Sequence, residues 1–393
     1  MKSRKLSRTR RRATIVTAAA ASVVAGAAML PNWSAGASSA GAGEPAVDAA
    51  TKATFQRLAD AVFTDRTDAL VDHKQNKGRS PLTSRFSGDV ELSSSLENKE
   101  DSARSSLRGR KSRLADLGER YSSAKTSVTL DKTRVRDRHA TVQVTETTTL
   151  TYEKVQGDEP KTTGFQAHHK LTFTADRSGV WQLTNVRTTD DGYLAVNQPA
   201  KTTFTATVAD DDMPAATRSA TTWPAPAKAK NFSATGYDYK AMAAYAEKYW
   251  KTYNTAYPDF NGAGAGGDCT NFVSQSLKAG GWKHVPGYVY DYTKWFGNAD
   301  IQSDSFVGVN EFSWFSLNSK RATSLANVYQ MDIGDVLQVD FDKDGSKDHT
   351  MIVSYRSSQG VPYVTYHSTN TYRRSVASII ASYPNSAFYA YRT

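Results

Sequence analysis

Apolar residues recur at helical spacing from about Thr51. Phe55, Leu58, Ala59, Val62 and Phe63 share one face, so an amphipathic helix is predicted there. Between residues 127 and 189 the period changes to two. Val142 and Val144, Leu171 and Phe173, and Trp181 and Leu183 alternate with polar neighbours, as half-buried antiparallel strands do. Residues 157–160 and 177–179 supply turns. Both periods fade over residues 199–235, a stretch rich in Ala, Thr and Pro that is expected to be a linker. Helical spacing returns with Met242, Tyr245, Ala246, Tyr249, Trp250 and Tyr253, with Asp238 placed to cap and Pro258 to stop the segment. A glycine-rich loop at 261–267 leads into a second helix that opens at Asp268-Cys269 and ends at Gly280-Gly281. Residues 334–340, 348–354 and 364–368 then follow as three strands.

The expected architecture is α+β. Helix first and meander after, residues 51–198 resemble nuclear-transport-factor-like or cystatin-like cones. Residues 236–393 form a second domain. Residues 1–37 have the build of a signal peptide: a basic start to Arg12, a small-residue apolar run to Leu30, and Ala35-Gly36-Ala37 for cleavage. Ala40-Gly41-Ala42 is a second cleavage candidate. General secretion is the expected route, with twin-arginine export next on the strength of Arg11-Arg12. The mature protein is then extracellular or associated with the cell wall.

Charge narrows the partners. The formal net charge is +10, but seven of the basic residues precede Arg12 or include it, before any acid, so a cleaved chain carries only about +3. That leaves no general electrostatic case for nucleic acid. Arg104, Arg108, Arg110, Lys111, Arg113 and Arg120 crowd one segment, which suits a solvated helix face better than a grip on anionic polymers. Beyond the leader no apolar run approaches the roughly 20 residues of a membrane span, so stable insertion is not expected. One cysteine excludes an intramolecular disulfide, and a monomer is expected. His168 and His169 are neighbours in a strand, point to opposite faces, and are assigned no chemistry. Asp210-Asp211-Asp212 suits a solvated patch better than a metal site.

That single cysteine, Cys269, falls in the first turn of a helix behind a flexible loop. The free N–H groups and dipole there favour a thiolate and can donate to an oxyanion. A buried structural cysteine is the plainer alternative. His349 opens a buried-looking strand and His367 ends the next, so a base and a polar orienter follow the thiol in chain order. Asn370 is an alternative orienter.

The run from Gly266 through Asp268-Cys269-Thr270-Asn271-Phe272-Val273-Ser274-Gln275, then Ala279-Gly280-Gly281-Trp282, with Asp348-His349-x-x-Ile352-Val353, resembles the amidase domain found in secreted bacterial proteins, within the NlpC-type branch of papain-like hydrolases. The resemblance covers about residues 237–393. It implies cysteine-dependent amide hydrolysis, with cell-wall peptide the usual substrate class, Cys269 as nucleophile, His349 as base and His367 as orienter. It names no required cofactor. A silent binding module and an acyltransferase are the rival functions on the same fold.

Asp340, Asp342, Asp344 and Asp348 fall at positions 1, 3, 5 and 9 of a calcium loop, with Gly345 at the turn. Met351 replaces the usual bidentate Glu, and a polar hairpin turn is the alternative. Aromatic residues crowd 282–296 and 312–315, suited to stacking on sugar or peptide and equally to a core.

Overall fold

The computed structural model describes residues 47–72, 90–199, 213–262 and 267–393. The leader and the Asp210–Asp212 run lie outside the described residues, as does most of the glycine loop.

Helix α1 (Ala49–Asp68), the short strand β1 (Val90–Leu92) and helix α2 (Ser94–Asp116) precede a meander of β2 (Tyr121–Arg136), β3 (His139–Tyr152), β4 (Thr162–Ala175) and β5 (Trp181–Thr188). The Asp48 carboxylate accepts the N–H of Thr51 at 2.8 Å and starts α1. Phe55, Leu58, Val62 and Phe63 are buried against Val142, Val144, Leu171 and Phe173, so the face set by the helical spacing meets the face set by the alternation. Each such side chain contributes roughly 1.5–3 kcal/mol by leaving water.

The C-terminal half begins with α3 (Tyr239–Tyr249), α4 (Cys269–Ala279), α5 (Asp304–Val307) and α6 (Val309–Asn318). Strands β6 (Thr323–Leu325), β7 (Val336–Asp340), β8 (His349–Arg356), β9 (Pro362–Tyr366) and β10 (Asn370–Ser375) follow, then α7 (Val376–Ser382) and β11 (Ala387–Arg392). β7, β8, β9 and β10 pair antiparallel in chain order. Along β8 the period of two divides two cores. Ile352 packs with Phe272, Val273 and Leu277 of α4. Met351 and Val353 pack with Ile379 of α7, on the opposite face.

β4 joins the halves. Its later residues pair with β5, and the same edge continues past the end of β5 to pair Gly164, Phe165 and Gln166 with Tyr372, Thr371 and Asn370 of β10. Eleven strands among the described residues thus form one sheet, and strand pairing crosses the expected boundary between the halves. Residues 213–235, the described part of the expected linker, lie against the C-terminal half. Ser219 donates to the Leu325 carbonyl at 2.6 Å, and Lys230 reaches buried Asp335 at 2.7 Å. In the basic segment, Arg110 is buried and donates to the Val196 carbonyl, while Arg113 donates to that of Ala381 at 2.8 Å. Arg113 thus fastens the halves, while Arg110 ties α2 to the segment that follows β5. The fold is a mixed helix and antiparallel-sheet arrangement. No helix among the described residues is long and apolar enough to cross a membrane.

Candidate active site

Cys269 is the first residue of α4, as the loop-to-helix pattern predicts. Its sulfur accepts from the backbone N–H of Thr350 and lies 3.8 Å from the Thr270 hydroxyl. Thr270 in turn meets the Thr350 hydroxyl at 2.9 Å, which seats the helix start on the beginning of β8. The thiol is 2% exposed. Burial raises its pKa, and the Asp268 carboxylate beside it pushes the same way. The N–H of Thr350 and the hydroxyl of Thr270 pull downward and are outweighed. Burial of the thiol thus works against the thiolate that a helix start would favour.

Asp268 does not cap the helix; its side chain makes no cap hydrogen bond. One oxygen accepts Nδ1–H of His367 at 2.7 Å. The other accepts from the Asn271 amide at 2.8 Å and from the N–H of Phe260 at 3.3 Å. Nε2 of His367 lies 2.8 Å from the carbonyl of Tyr249. Carboxylate and carbonyl are both acceptors, so the ring satisfies both only with a proton on each nitrogen. Phe272 and Tyr253 enclose it, with ring centroids at 4.0 and 4.2 Å.

His349 lives differently. The Thr350 side chain faces α4, so His349, its neighbour in the strand, faces the other side of the sheet. There it stacks on Tyr193, centroids 4.4 Å apart and planes 17° apart, and meets Tyr366 edge-on at 5.1 Å. Neither ring nitrogen has a hydrogen-bond partner among the described residues. Burial, aided by the nearby Arg374 guanidinium, drives its pKa down to about 3, so the ring is neutral at ordinary pH.

The expected hydrogen bond from His349 to His367 is therefore not formed. Asn370 does not supply it either: its carbonyl accepts the Tyr253 hydroxyl at 3.0 Å. The structure gathers Cys269, Asp268 and His367 on one face of the sheet and sets His349 on the other, one peptide from the sulfur. Asp268 stood inside the cysteine motif, where a cap and an anchor for a distant histidine look alike. Tyr193 had no local signal, because it arrives from the other half of the chain.

Among the acidic residues, carboxylate oxygens of Asp340, Asp342 and Asp348 lie within 4.8 Å of one another, and Asp344 falls outside that group. Gly345 has φ +95°, the left-handed turn position expected of it. Asp340 accepts N–H bonds from Lys343 at 2.6 Å and Gly345 at 3.0 Å. Burial, helped by the neighbouring carboxylates, raises Asp348 to about 6. An all-oxygen, mutually repelling donor set of this kind suits a hard divalent cation.

Trp282, Trp295, Phe312 and Phe315 form core on the α4 face, whereas Tyr288 and Tyr290 are exposed. His169 is buried against Glu146 at 3.0 Å, and His168 meets Asp190 at 2.8 Å on the other face of β4, the division expected of strand neighbours. A cleft of about 700 Å³ lies between the halves, lined by His168, Asp190, Lys251, Tyr253, Asp259 and Asn370; neither Cys269 nor His349 lines it.

Residues 236–391 match the family described as "Putative amidase domain". The chain is similar to two uncharacterized proteins of Bacillus subtilis (strain 168). YhbB is 33% identical over 142 residues, covering 35% of this chain and 44% of YhbB. YjcM is 33% identical over 148 residues, covering 35% of this chain and 32% of YjcM. The match thus spans less than half the length of either relative. Among solved structures, the intermembrane space region of the chloroplast protein ARC6 aligns at 15% identity and TM-score 0.23, over 37% of this chain and 98% of that one. The Kfla4162 protein from Kribbella flavida aligns at 17% identity and TM-score 0.21, over 35% and 90%. Residues 236–391 carry an amidase-like domain.

Proposed function

We propose that this protein is a secreted cysteine-dependent amide hydrolase of papain-like build that cleaves peptide or amide bonds of the cell wall. The observation that carries the reading is a coincidence of position. Within the stretch that matches the amidase family, the chain's only cysteine opens a buried helix, and its sulfur touches the peptide that follows His349.

In this mechanism His349 first leaves its stack on Tyr193 and turns to the α4 face; there it accepts the Cys269 proton, and the sulfur adds to the amide carbonyl carbon. The backbone N–H of Cys269 donates to the resulting oxyanion. His349 passes its proton to the departing amine, and a thioester remains. Water then adds to the thioester carbonyl, giving a proton to His349, and the carboxylic acid leaves as the thiol is restored. His367 is a positioning residue: paired with Asp268, it fixes the helix start that carries the thiol. Asp340, Asp342 and Asp348, with Asp344 nearby, would hold a calcium ion, whose charge would relieve their repulsion and stiffen the hairpin leading to His349.

The test is mass spectrometry of purified muropeptides incubated with the mature protein and with Cys269→Ala. A mass gain of one water split across two products, present only with intact Cys269, supports the reading. A second reading, a silent papain-like binding module, is favoured by the raised thiol pKa and the unbonded His349. Muropeptides that bind unchanged would select it.

A further inference from the structure

A cavity of about 390 Å³ lies on the seam between the halves, and no residue placed in the reaction lines it. Glu119 and Tyr152 line it from the N-terminal half, Tyr329 and Tyr363 from the C-terminal half, with Trp223 of the 213–235 segment beside them. Contacts made elsewhere hold its walls. The Asp158 carboxylate accepts the N–H of Ser358 at 2.7 Å, and the Asp158 carbonyl accepts the Tyr355 hydroxyl, so the loop after β3 is tied to the β8–β9 hairpin. The Asn327 amide donates to the Thr222 carbonyl at 3.0 Å, which anchors the residue before Trp223. The Trp223 ring lies 4.7 Å from that of Tyr329 and is still 46% exposed, more open than core packing alone requires.

The chemistry inside is one-sided. Glu119 Oε1 and the Tyr152 hydroxyl are buried with no hydrogen-bond partner among the described residues, and Tyr152 is 6% exposed. The N–H of Ser375 lies near that hydroxyl without bonding it. An ionised carboxylate only accepts and a phenol oxygen also accepts, so what is missing is a donor. A buried acceptor left without one is costly. Charge points the same way. Glu119, Glu153 and Glu159 line the cavity against Arg120 and Lys154, and Arg120 already holds the Asp72 carboxylate at 3.0 Å. Donor hydrogens, positive charge and attraction to aromatic faces are together the properties of an ammonium group. A primary ammonium brings three N–H donors, where a quaternary one brings none.

We propose that this cavity binds a primary ammonium group on an aliphatic stem, such as a lysine or another diamino acid presents in a peptide, with Glu119 as its counter-charge, the Tyr152 hydroxyl as a second acceptor, and Trp223 with Tyr329 as the wall along the stem. The site does not depend on the cysteine reading. Burial raises the Glu119 carboxyl to about 7, and the Glu159 carboxylate adds to the rise; the Ser375 and Tyr121 hydroxyls and the Arg374 guanidinium oppose it. Burial also pushes Tyr152, Tyr329 and Tyr363 upward, so these phenols stay neutral beside it. The ammonium needs the carboxylate, which is present above about pH 7 and lost as pH falls below it, so binding is coupled to ionisation of Glu119.

The probe is Nα-acetyl-lysine methylamide, compared by calorimetric titration with its norleucine analogue, which keeps the stem and lacks the ammonium. The proteins are the full chain, Glu119→Gln and Trp223→Ala, each checked by melting. Wild type is expected to bind the lysine derivative at least about tenfold more tightly than the norleucine one at pH 8. Its affinity should be about tenfold weaker at pH 6 than at pH 8, because the ionised fraction of a group titrating near 7 changes by about that factor. The lysine ammonium, titrating near about 10.4, stays charged across this range. Glu119→Gln should lose at least about tenfold at pH 8 and become indifferent to pH. Trp223→Ala, which removes a half-exposed ring, should lose about threefold or more. Equal binding of the two derivatives overturns the proposal, as do wild-type affinity in Glu119→Gln and a dissociation constant above about 50 mM in the wild type. If Glu119→Gln does not fold, the other two comparisons decide: wild-type affinity in Trp223→Ala, or equal affinity at pH 6 and pH 8, overturns the proposal.

Discussion

His349 and His367 leave the start of β8 and the end of β9 on opposite faces of one sheet, and the two faces treat an imidazole in opposite ways. On the α4 face, His367 has an acceptor at each nitrogen and aromatic rings above and below. It is saturated, and suited to holding the cysteine helix rather than to moving protons. On the α7 face, His349 is boxed by Tyr193 and Tyr366 with no partner at either nitrogen. It is neutral, and its ring lies on the face away from the Cys269 sulfur. Equal burial thus yields different chemistry, because hydrogen-bond partners decide which protonation state a buried ring can hold.

The comparison is most sharply tested by removing each part. Cys269→Ala should abolish amide hydrolysis while leaving the fold intact, since the site loses only a sulfur; residual turnover by mass spectrometry would end the cysteine mechanism. His349→Ala should lower turnover by about 10²–10⁴-fold, the range for a lost general base. His367→Ala should lower turnover less and stability more. It leaves the buried Asp268 carboxylate without its imidazole partner, holding only Asn271 and the N–H of Phe260, a loss of roughly 3–5 kcal/mol in denaturant unfolding. If His367→Ala proves the more damaging to chemistry in a folded protein, the roles of the two rings are reversed.

Acid should separate the faces again. His349 has a folded pKa near 3, depressed by burial, against about 6.5 when unfolded. A depressed histidine stabilises the fold above the unfolded value, and that contribution is lost as pH falls from 6.5 toward 3. The loss is on the order of 4 kcal/mol. Asp348, raised to about 6, acts in the opposite sense over pH 4–6. His349→Leu should flatten the acid limb of a stability profile. An unchanged limb would mean that other groups drive acid unfolding.

The smallest effect expected is that of calcium. Millimolar calcium should raise the melting temperature by a few degrees at about pH 7 by mass action, and less at pH 5, where protons compete for Asp348. Asp342→Ala should remove the response. A melting curve indifferent to calcium and chelator would leave the loop a polar turn.

Much of this was legible along the chain. Phe55 to Phe63 announced α1 by spacing, the alternation at Val142 and Leu171 announced the meander, and glycine before and after announced the Cys269 helix. These are local properties, set by the 3.6 and 2.0 residue periods that put side chains on one face. The same alternation correctly set His168 and His169 apart. Where periodicity was silent, tertiary structure decided. Pairing of Gly164–Gln166 with β10 requires β5 to be short enough to leave that edge open, which no local pattern states. The Asp268–His367 pair spans 99 positions, so the choice between helix cap and anchor was made by where β9 ends. The thiol pKa turned on burial, a property of the packed whole, rather than on the helix start. Tyr193 reached His349 from 156 positions upstream, because the entropy cost of closing a loop rises only slowly with its length and a shared core outweighs it. The sequence by itself determined which residues could do chemistry; only the packing decided which of them face one another.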